Sequence, residues 1–248
     1  MSSREIVCPA PPDDAGFPKE KPLNRNMLKY LVIIAMTIDH IAWGFVDQTH
    51  PLAGGIMHVF GRLTGPTMAF FLAEGYHFTK DPARYQLRLF LFALISWIPY
   101  DLFEFGRISV NQSVIFTLFL GITALRVWDS GKFDRETKIA LIILLTTLSW
   151  IGDWAIMDVL APLFLHVFRN DKKRRYLSLF LLYAGFPVIQ VIGNPSRGWF
   201  QFGVLLVPAL LIGCYNGKPG KKTAFHKWFF YIYYPAHLLV LALFRWWI

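Results

Sequence analysis

An aspartate and a histidine stand side by side inside a long apolar stretch of this chain, in the segment TIDHIAWG at residues 37–44. A charge at the centre of a bilayer costs at least ~2.5 to 3.5 kcal/mol, so ionisable groups in membrane-spanning helices usually face a cavity or a partner and mark a functional site. Histidine is the commonest general base near neutral pH. Asp39 and His40 are therefore the first candidates for chemistry.

Further ionisable residues lie at a similar depth in other apolar stretches. At 1.5 Å per residue, His40, Arg62 and His237 each lie roughly 18 to 22 Å from the lysine- and arginine-rich end of their own helix. We therefore expect them to share one polar cavity, with Tyr234 beside His237. Adjacent helix positions point about 100° apart, so Asp39 is better placed to pair with Arg62 than to orient His40.

Two interpretations of these residues stay open from their pattern alone. Asp39 and Arg62 either form an ion pair that only joins two helices or take part in a reaction. His40 either donates to a backbone carbonyl or acts as a general base, and Tyr234 either lines the site or packs in the core. Glu74, in the motif AEGY, is either a helix-end contact or a group that binds a ligand.

The composition identifies the elements that hold these residues as membrane-spanning helices. Of the 248 residues, 55% are hydrophobic and 17% are charged, whereas soluble domains are about a quarter charged. We predict a polar cytoplasmic tail at 1–26 and one all-α, multi-pass membrane domain at 27–248. The nine predicted helices cover residues 27–46, 54–77, 86–104, 113–127, 138–151, 153–168, 174–192, 200–215 and 225–247.

The basic residues predict which side of the membrane each connection faces. Most of the 25 lysines and arginines lie in the amino-terminal tail or in the connections after the second, fourth, sixth and eighth predicted helices. The positive-inside rule then places the amino terminus in the cytoplasm and the carboxyl terminus in the periplasm. The same distribution accounts for the net charge of +9, so we expect lipid and not nucleic acid as the partner. The tail has no apolar core, so we expect the first helix to act as the insertion signal.

Several common functional motifs are absent from the sequence. It has no glycine-rich phosphate loop, no HExxH, no CxxC pair and no GxSxG. Two mid-membrane histidines without a third ligand are a weak metal site, so we expect no metal. The two cysteines, Cys8 and Cys214, are too few for a disulfide framework. The mid-membrane polar residues remain as the candidates for catalysis.

A series of motifs, taken in order along residues 27–242, resembles the TraX family, which is known for the acetylase of F-pilin in conjugative plasmids. The motifs are LKYLVIIAMTIDH, GRLTGPTMAFFLAEGYHFT, RLFLFALISWIPYDLF, VIFTLFLG, DW, YNGKPGKK and KWFFYIYYPAH. The resemblance implies an inner-membrane enzyme that transfers an acetyl group from acetyl-coenzyme A to the amino terminus of a processed pilin. Where the family pattern has an asparagine before the VIFT element, this chain has Ser113, with Asn111 two positions earlier.

The resemblance, with an analogy to larger membrane acyltransferases, also implies residue roles. His40 would remove a proton from the acceptor's α-ammonium group, whose ordinary pKa is about 7.7 to 8.0. Arg62, Tyr234 or His237 would stabilise the tetrahedral oxyanion. The catalytic set expected on this basis is His40, Asp39, Arg62, His237 and Tyr234. The residues expected to bind acetyl-coenzyme A are Arg88, Arg84, Lys80, Lys227 and Glu74.

Other classes of protein fit the same residues. A proton-coupled transporter also uses histidine, aspartate and arginine at mid-depth. A non-enzymatic assembly subunit would tolerate replacement of these residues. Within the enzyme class, a glycan or a small molecule is an alternative acceptor to the pilin.

Overall fold

The computed structural model describes residues 21–221 and 223–247, without the side chains of Phe186, Ser196 and Arg197. Within those ranges the chain forms helices and contains no strand. The α-helices are α1 (Arg25–Ile41), α2 (Pro51–Gly61), α3 (Thr64–Phe78), α4 (Pro82–Phe105), α5 (Val114–Asp129), α6 (Arg135–Leu148), α7 (Met157–Val167), α8 (Lys172–Gly193), α9 (Pro195–Gly198), α10 (Leu206–Cys214) and α11 (Ala224–Trp246). Most of the predicted tail, with Arg4, Cys8 and Lys19, lies outside the described residues, as does Lys222.

The predicted all-α fold is confirmed for the described residues, but two predicted helices, 54–77 and 200–215, are each divided in the structure, the second into the 3₁₀ segment Trp199–Leu205 and α10. The sequence predicted one helix over 54–77, but the structure divides this segment into α2 and α3 at Arg62 and Leu63. Pro66 has no amide hydrogen to donate to the carbonyl of Arg62, four residues earlier, so a continuous α-helix would lack that bond. Arg62 therefore lies at a helix junction and not inside a helix.

Four helical segments are long and apolar enough to cross a bilayer, which needs about 20 residues. They are Arg25–Val46, Pro82–Phe105, Lys172–Gly193 and Ala224–Trp246. Their outer faces carry large exposed apolar side chains, such as Ile34 at 61% and Ile192 at 78% exposure. Soluble proteins rarely expose wide apolar surfaces of this kind. The chain is a membrane protein.

Five helices begin with a side chain that caps the first free amides. Each capping oxygen accepts a hydrogen bond from the amide three residues further on, which satisfies one of the orphan donors at a helix start. The capping residues are Asn24 for α1, Asp81 for α4, Asp134 for α6, Asp171 for α8 and Thr223 for α11. All five starts fall on the side that the charge pattern predicts to be cytoplasmic, where polar caps remain in water.

The core brings α1 and α11 together and thereby fixes the site. Tyr30 and His226 form a hydrogen bond of 2.7 Å between these helices, and Thr37 and Tyr233 form a second of 2.8 Å. Helix α4 packs against α11 and α5, and α5 packs against α7. Fully buried apolar side chains, including Phe103, fill the space between them. The two hydrogen bonds therefore fix the position of α1 relative to α11.

Helix α2 and the 3₁₀ segment Trp199–Leu205 make a close backbone contact that depends on a glycine. A methyl group on Gly203 would lie 2.3 Å from the carbonyl oxygen of Val59. Backbone atoms cannot move aside as a side chain can, so we expect Gly203→Ala to destabilise the protein by about 1 to 3 kcal/mol. The midpoint of thermal unfolding in detergent measures this loss.

Gly213→Ala is the matched control for this prediction. A methyl group on Gly213 would meet nothing within 4 Å, so this variant should melt close to the wild-type temperature. Equal melting temperatures for the two variants would contradict the close contact at Gly203.

Candidate functional site

A four-residue ion network connects α1 to α2 at the middle of the bundle. Nη2 of Arg62 lies 2.6 Å from Oδ2 of Asp39, so the predicted ion pair is present. His58 Nδ1 lies 2.8 Å from Oδ1 of the same aspartate, and His58 Nε2 lies 3.0 Å from Oδ1 of Asp47. Gly61 permits this approach, because a methyl group there would lie 2.1 Å from Asp39.

His58 bridges the two aspartates of the network. Each of its ring nitrogens lies within hydrogen-bond distance of a carboxylate, that of Asp39 for Nδ1 and that of Asp47 for Nε2. His58 is only 1% exposed, and a buried polar group without a partner is costly. The sequence analysis assigned His58 no role, because its distance from the helix end gave no sign that it joins two aspartates.

Aromatic rings and a glutamine fix the position of the Arg62 guanidinium, in addition to Asp39. Its guanidinium lies 5.2 Å from the ring of Trp154 and 5.9 Å from the ring of Phe200. Nη1 is 3.4 Å from Oε1 of Gln201. An arginine between aromatic faces keeps its charge in a low-dielectric site through cation–π attraction. Its geometry is therefore fixed before any ligand arrives.

Two histidines from α1 and α11 form a second polar unit, whose hydrogen bonds define the tautomer of the neutral rings. Nδ1 of His237 lies 2.9 Å from the carbonyl oxygen of Tyr233, which accepts, so the lone pair of His237 is on Nε2. That atom lies 2.9 Å from Nδ1 of His40, so His40 donates from Nδ1. The lone pair of His40 is therefore on Nε2, which forms no hydrogen bond with a described residue. This is the arrangement that a general base requires.

A cavity of about 270 Å³ brings the two polar units together. Its wall contains His40 from α1, Arg62 from the α2–α3 junction and Tyr234 from α11. The polar residues that line it are Asp39, His40, Arg62, Thr64, Tyr100, Glu104, Asp153, Tyr233 and Tyr234. His237 contacts the cavity through His40. The structure thus assembles all five predicted catalytic residues in one place, and their chemical roles remain predictions.

Two buried hydroxyl groups stand together at one end of this cavity. Tyr234 is 5% exposed and Ser113, which occupies the N-cap position of α5, is fully buried. Tyr234 lies close to Ser113 and the backbone of Val114. Neither hydroxyl forms a hydrogen bond of normal geometry with a described residue. Ser113 thus stands beside the site at the position where the family pattern has an asparagine.

The loop that carries Asp153 is held in a strained backbone conformation. Trp154 and Ile156 have φ angles of 55° and 65°, values that non-glycine residues adopt at a cost of order 1 to 3 kcal/mol. The Trp154 ring packs on Gly65 and on Arg62. This loop places Asp153 in the cavity wall.

A second cavity of about 500 Å³ lies at the basic end of the bundle. The basic residues that line it are Arg25, Lys29, Arg88, Lys221, His226 and Lys227. The two cavities share four apolar wall residues, which we call the neck: Met68, Ile115, Leu118 and Phe230. The cationic cavity therefore lies next to the cavity that contains His40, and these four apolar side chains line both.

The five residues predicted to bind the acyl donor lie in three different places in the structure. Arg88 and Lys227 line the basic cavity, whereas Lys80 and Arg84 are exposed and line neither cavity. Glu74 is buried in an ion cluster with Arg169 at 2.9 Å and Arg175 at 2.5 Å. This cluster joins α3 to the start of α8.

The fold and the site together define an all-helical membrane protein with a polar chamber buried among its helices. The chain belongs to the TraX family, because the model of that family, described as TraX protein, matches residues 24–245.

The chain is also similar to two proteins from other bacteria. A probable fimbrial assembly protein FimC, serogroup H1, of Dichelobacter nodosus is 31% identical over 87% of this chain and 93% of its own length. An uncharacterized protein of Rickettsia prowazekii (strain Madrid E) is 24% identical over 63% of this chain and 60% of its own length. No solved structure matches this chain.

The ion network predicts strong coupling between Asp39 and Arg62. Asp39→Asn or Arg62→Gln alone leaves buried charge without its partner and should destabilise the protein by about 3 to 5 kcal/mol. The double variant removes one charge of each sign, so its loss should be clearly smaller than the sum of the two single losses. Unfolding of all four proteins in detergent measures this difference, and strictly additive losses would contradict the coupling.

Proposed function

We propose that this protein is a multi-pass enzyme of the bacterial inner membrane that transfers an acetyl group from cytoplasmic acetyl-coenzyme A to the amino-terminal amine of a processed pilin. The observation that carries the proposal is the pair of adjacent cavities, one cationic and one containing an oriented histidine. Family membership and the fimbrial assembly relative support a function in building pili. Acetylation would then contribute to the biogenesis of a conjugative pilus or a related fibre.

The histidine pair supplies the base for this reaction. The acceptor's ammonium group gives one proton to Nε2 of His40, and His237 accepts the hydrogen bond from the opposite side of the ring. The free amine attacks the thioester carbonyl and forms the C–N bond. The C–S bond then breaks, and the coenzyme A thiolate leaves with the second amine proton as a thiol. His40 returns its proton to water before the next cycle.

The oxyanion of the tetrahedral intermediate needs a donor in the same cavity. Arg62 is engaged with Asp39 and Gln201, which makes it a fixed positive charge more than a free donor. The hydroxyl of Tyr234 has no partner among the described residues and can donate to the oxyanion. A preorganised donor of this kind contributes roughly 3 to 4 kcal/mol to catalysis.

The basic cavity suits the anionic half of acetyl-coenzyme A. Arg88 and Lys29, together with Lys227, offer donors to phosphate groups. The uncharged pantetheine arm would pass the neck, whose four side chains are apolar. The positive-inside pattern gives the basic cavity a cytoplasmic opening, where the donor is made. A pilin amino terminus released on the periplasmic side would enter the other cavity.

One observation favours a proton-coupled transporter as the second candidate. His58 joins Asp39 to Asp47, and aspartate–histidine chains also serve as proton relays in pumps and transporters. A transporter would move its substrate in response to a proton gradient and would be indifferent to acetyl-coenzyme A. An enzyme that acetylates a glycan or a small molecule would share the donor but leave the pilin unmodified.

His40→Ala should abolish acetyl transfer, because it removes the proposed base. The pilin encoded in the same genome is expressed with wild-type protein or with the variant, and its intact mass is measured by mass spectrometry. We expect one added acetyl group at the amino terminus with wild type and none with the variant, at equal amounts of membrane-inserted protein.

His50→Ala is the control, because His50 is exposed and caps no helix with its side chain. Transfer by the His40 variant at the wild-type rate would remove His40 from the mechanism. An unmodified pilin with wild type would reject the pilin as acceptor, and binding of acetyl-coenzyme A to the purified protein would then test the enzyme class itself.

Arg88→Gln should weaken the binding of acetyl-coenzyme A without affecting the base. Losing one charge-assisted contact to a phosphate should raise the KM for the donor about tenfold, with little change in kcat. The effect should shrink as salt is added, because the interaction is between charges.

Arg84→Gln is the matched control in the same helix, because Arg84 is exposed and paired with Asp81. Equal donor KM values for the Arg88 and Arg84 variants would show that the basic cavity does not bind the donor.

A further inference from the structure

Glu104 and Asp153 line the cavity that contains His40, and the proposed acetyl transfer uses neither carboxylate. Glu104 lies in the last turn of α4, and Asp153 lies in the strained loop before α7. We propose that these two carboxylates bind the acceptor's ammonium group, so that the acceptor is a primary amine in its protonated form and not a neutral alcohol. The inference rests on the proposed acetyl transfer in this cavity and specifies the chemical class that the cavity accepts.

The charges around the two carboxylates leave room for a cation. The attraction of Arg62 for Glu104 and Asp153 is opposed by the repulsion of Asp39, its ion-pair partner. Arg245, the other cation near Glu104, donates to the carbonyl of Phe103 at 3.0 Å and lies over the ring of Trp246. It forms no salt bridge with a carboxylate in the described part of the chain.

The two carboxylates interact with each other across the cavity and are short of hydrogen bonds. They are close enough for Coulomb repulsion, which is strong in a chamber largely shielded from water. Asp153 accepts one hydrogen bond of 2.9 Å, from the amide of Trp154. Glu104 accepts none from any residue that the structure describes. A bound cation would relieve the repulsion and supply the missing donors.

Tyr234 provides an independent indication of a ligand at the same place. Tyr234 is 5% exposed and lines the cavity. Its hydroxyl forms no hydrogen bond of normal geometry with a described residue. Its side chain lines the same cavity as Asp153 and Glu104, so the three groups face one volume. A protonated primary amine has three N–H donors, and these three side chains together with Nε2 of His40 offer four acceptors.

The same arrangement binds the amine in its protonated form and releases it after proton transfer, while His40 remains the group that removes the proton. Carboxylates hold the ammonium form, and they lose most of their attraction once His40 has taken the proton, since the electron pair stays on a neutral nitrogen. The neutral amine is then free to move toward the thioester. Tyr234, no longer bound to the amine, becomes available to the oxyanion.

The double variant Glu104→Gln/Asp153→Asn tests this proposal, because it keeps the shape and hydrogen-bonding capacity of both side chains and removes their charge. The protein is studied in lipid nanodiscs with a short peptide that has the mature amino terminus of the pilin. For a charged acceptor we expect the peptide KM to rise about 30-fold and kcat to change by less than about threefold. Glu136→Gln, which removes an exposed carboxylate on α6, should leave both constants unchanged.

A second measurement separates this proposal from the acetyl transfer on which it rests. Binding of the free-amine peptide and of the same peptide without its terminal amino group is compared in the absence of acetyl donor. Wild type should bind the free-amine peptide about tenfold more tightly, and the double variant should lose that preference. If the double variant unfolds at a lower temperature, the single Glu104→Gln variant is used, with about half the effect on a logarithmic scale.

Each outcome decides one question. Acetylation by wild type with a peptide KM within twofold in the variant overturns the ammonium site and leaves the acetyltransferase intact. Preferential binding of the free-amine peptide by wild type, without acetylation, overturns the proposed function and leaves the ammonium site intact. Equal binding of both peptides by wild type overturns the ammonium site whatever the catalytic result.

Discussion

The removal of charges from water is the constraint on which this molecule depends. Asp39, Arg62, His58 and Asp47 are all largely buried, and each would be prohibitively costly there alone. Their mutual contacts offset this cost, but only if α1, α2 and the π-helical segment Ala42–Val46 meet in one arrangement. The break between α2 and α3 is part of that arrangement, because it places the Arg62 guanidinium beside Asp39 of α1. The ion network thus specifies the shape of the cavity before any ligand enters it.

The ion pair and the histidine pair have different roles in this geometry. The network places an arginine–aspartate ion pair in one wall, where aromatic rings and Gln201 complete the environment of Arg62. The histidine pair occupies another wall and is ordered by a backbone carbonyl of α11 instead of by a carboxylate. His40 is therefore oriented without being held in a strong ion pair, so that it can gain and lose a proton. A carboxylate in the place of His237 would stabilise the charged form of His40 and make proton return harder.

The sequence predicted the membrane class, most helices and the meeting of five residues at mid-depth, because composition, charge asymmetry and distance along a helix are all one-dimensional quantities. It missed residues whose position depends on irregular backbone. His58 is brought to two aspartates by the turn after α1, and Asp153 is turned inward by a left-handed backbone at Trp154. The division of the second helix was visible in Pro66, but a single proline inside a long apolar stretch does not distinguish a kink from a break. The basic cavity was only half predicted, because Lys80 lies before α4 and Arg84 lies in its first turn, whereas the cavity is lined by Arg88, one turn further along the same face.

The neck between the two cavities has a consequence for the membrane itself. If one chamber opens to the cytoplasm and the other to the periplasm, Met68, Ile115, Leu118 and Phe230 are the electrical insulation between two aqueous compartments. An ion would have to shed its hydration shell to pass four apolar side chains, and narrow apolar constrictions of this kind also tend to exclude water. A slender, uncharged thioester arm meets no such penalty. Under the proposed function, the same four residues would admit an acyl carrier and preserve the proton gradient, so that a periplasmic substrate could be modified with a cytoplasmic donor without discharging the membrane.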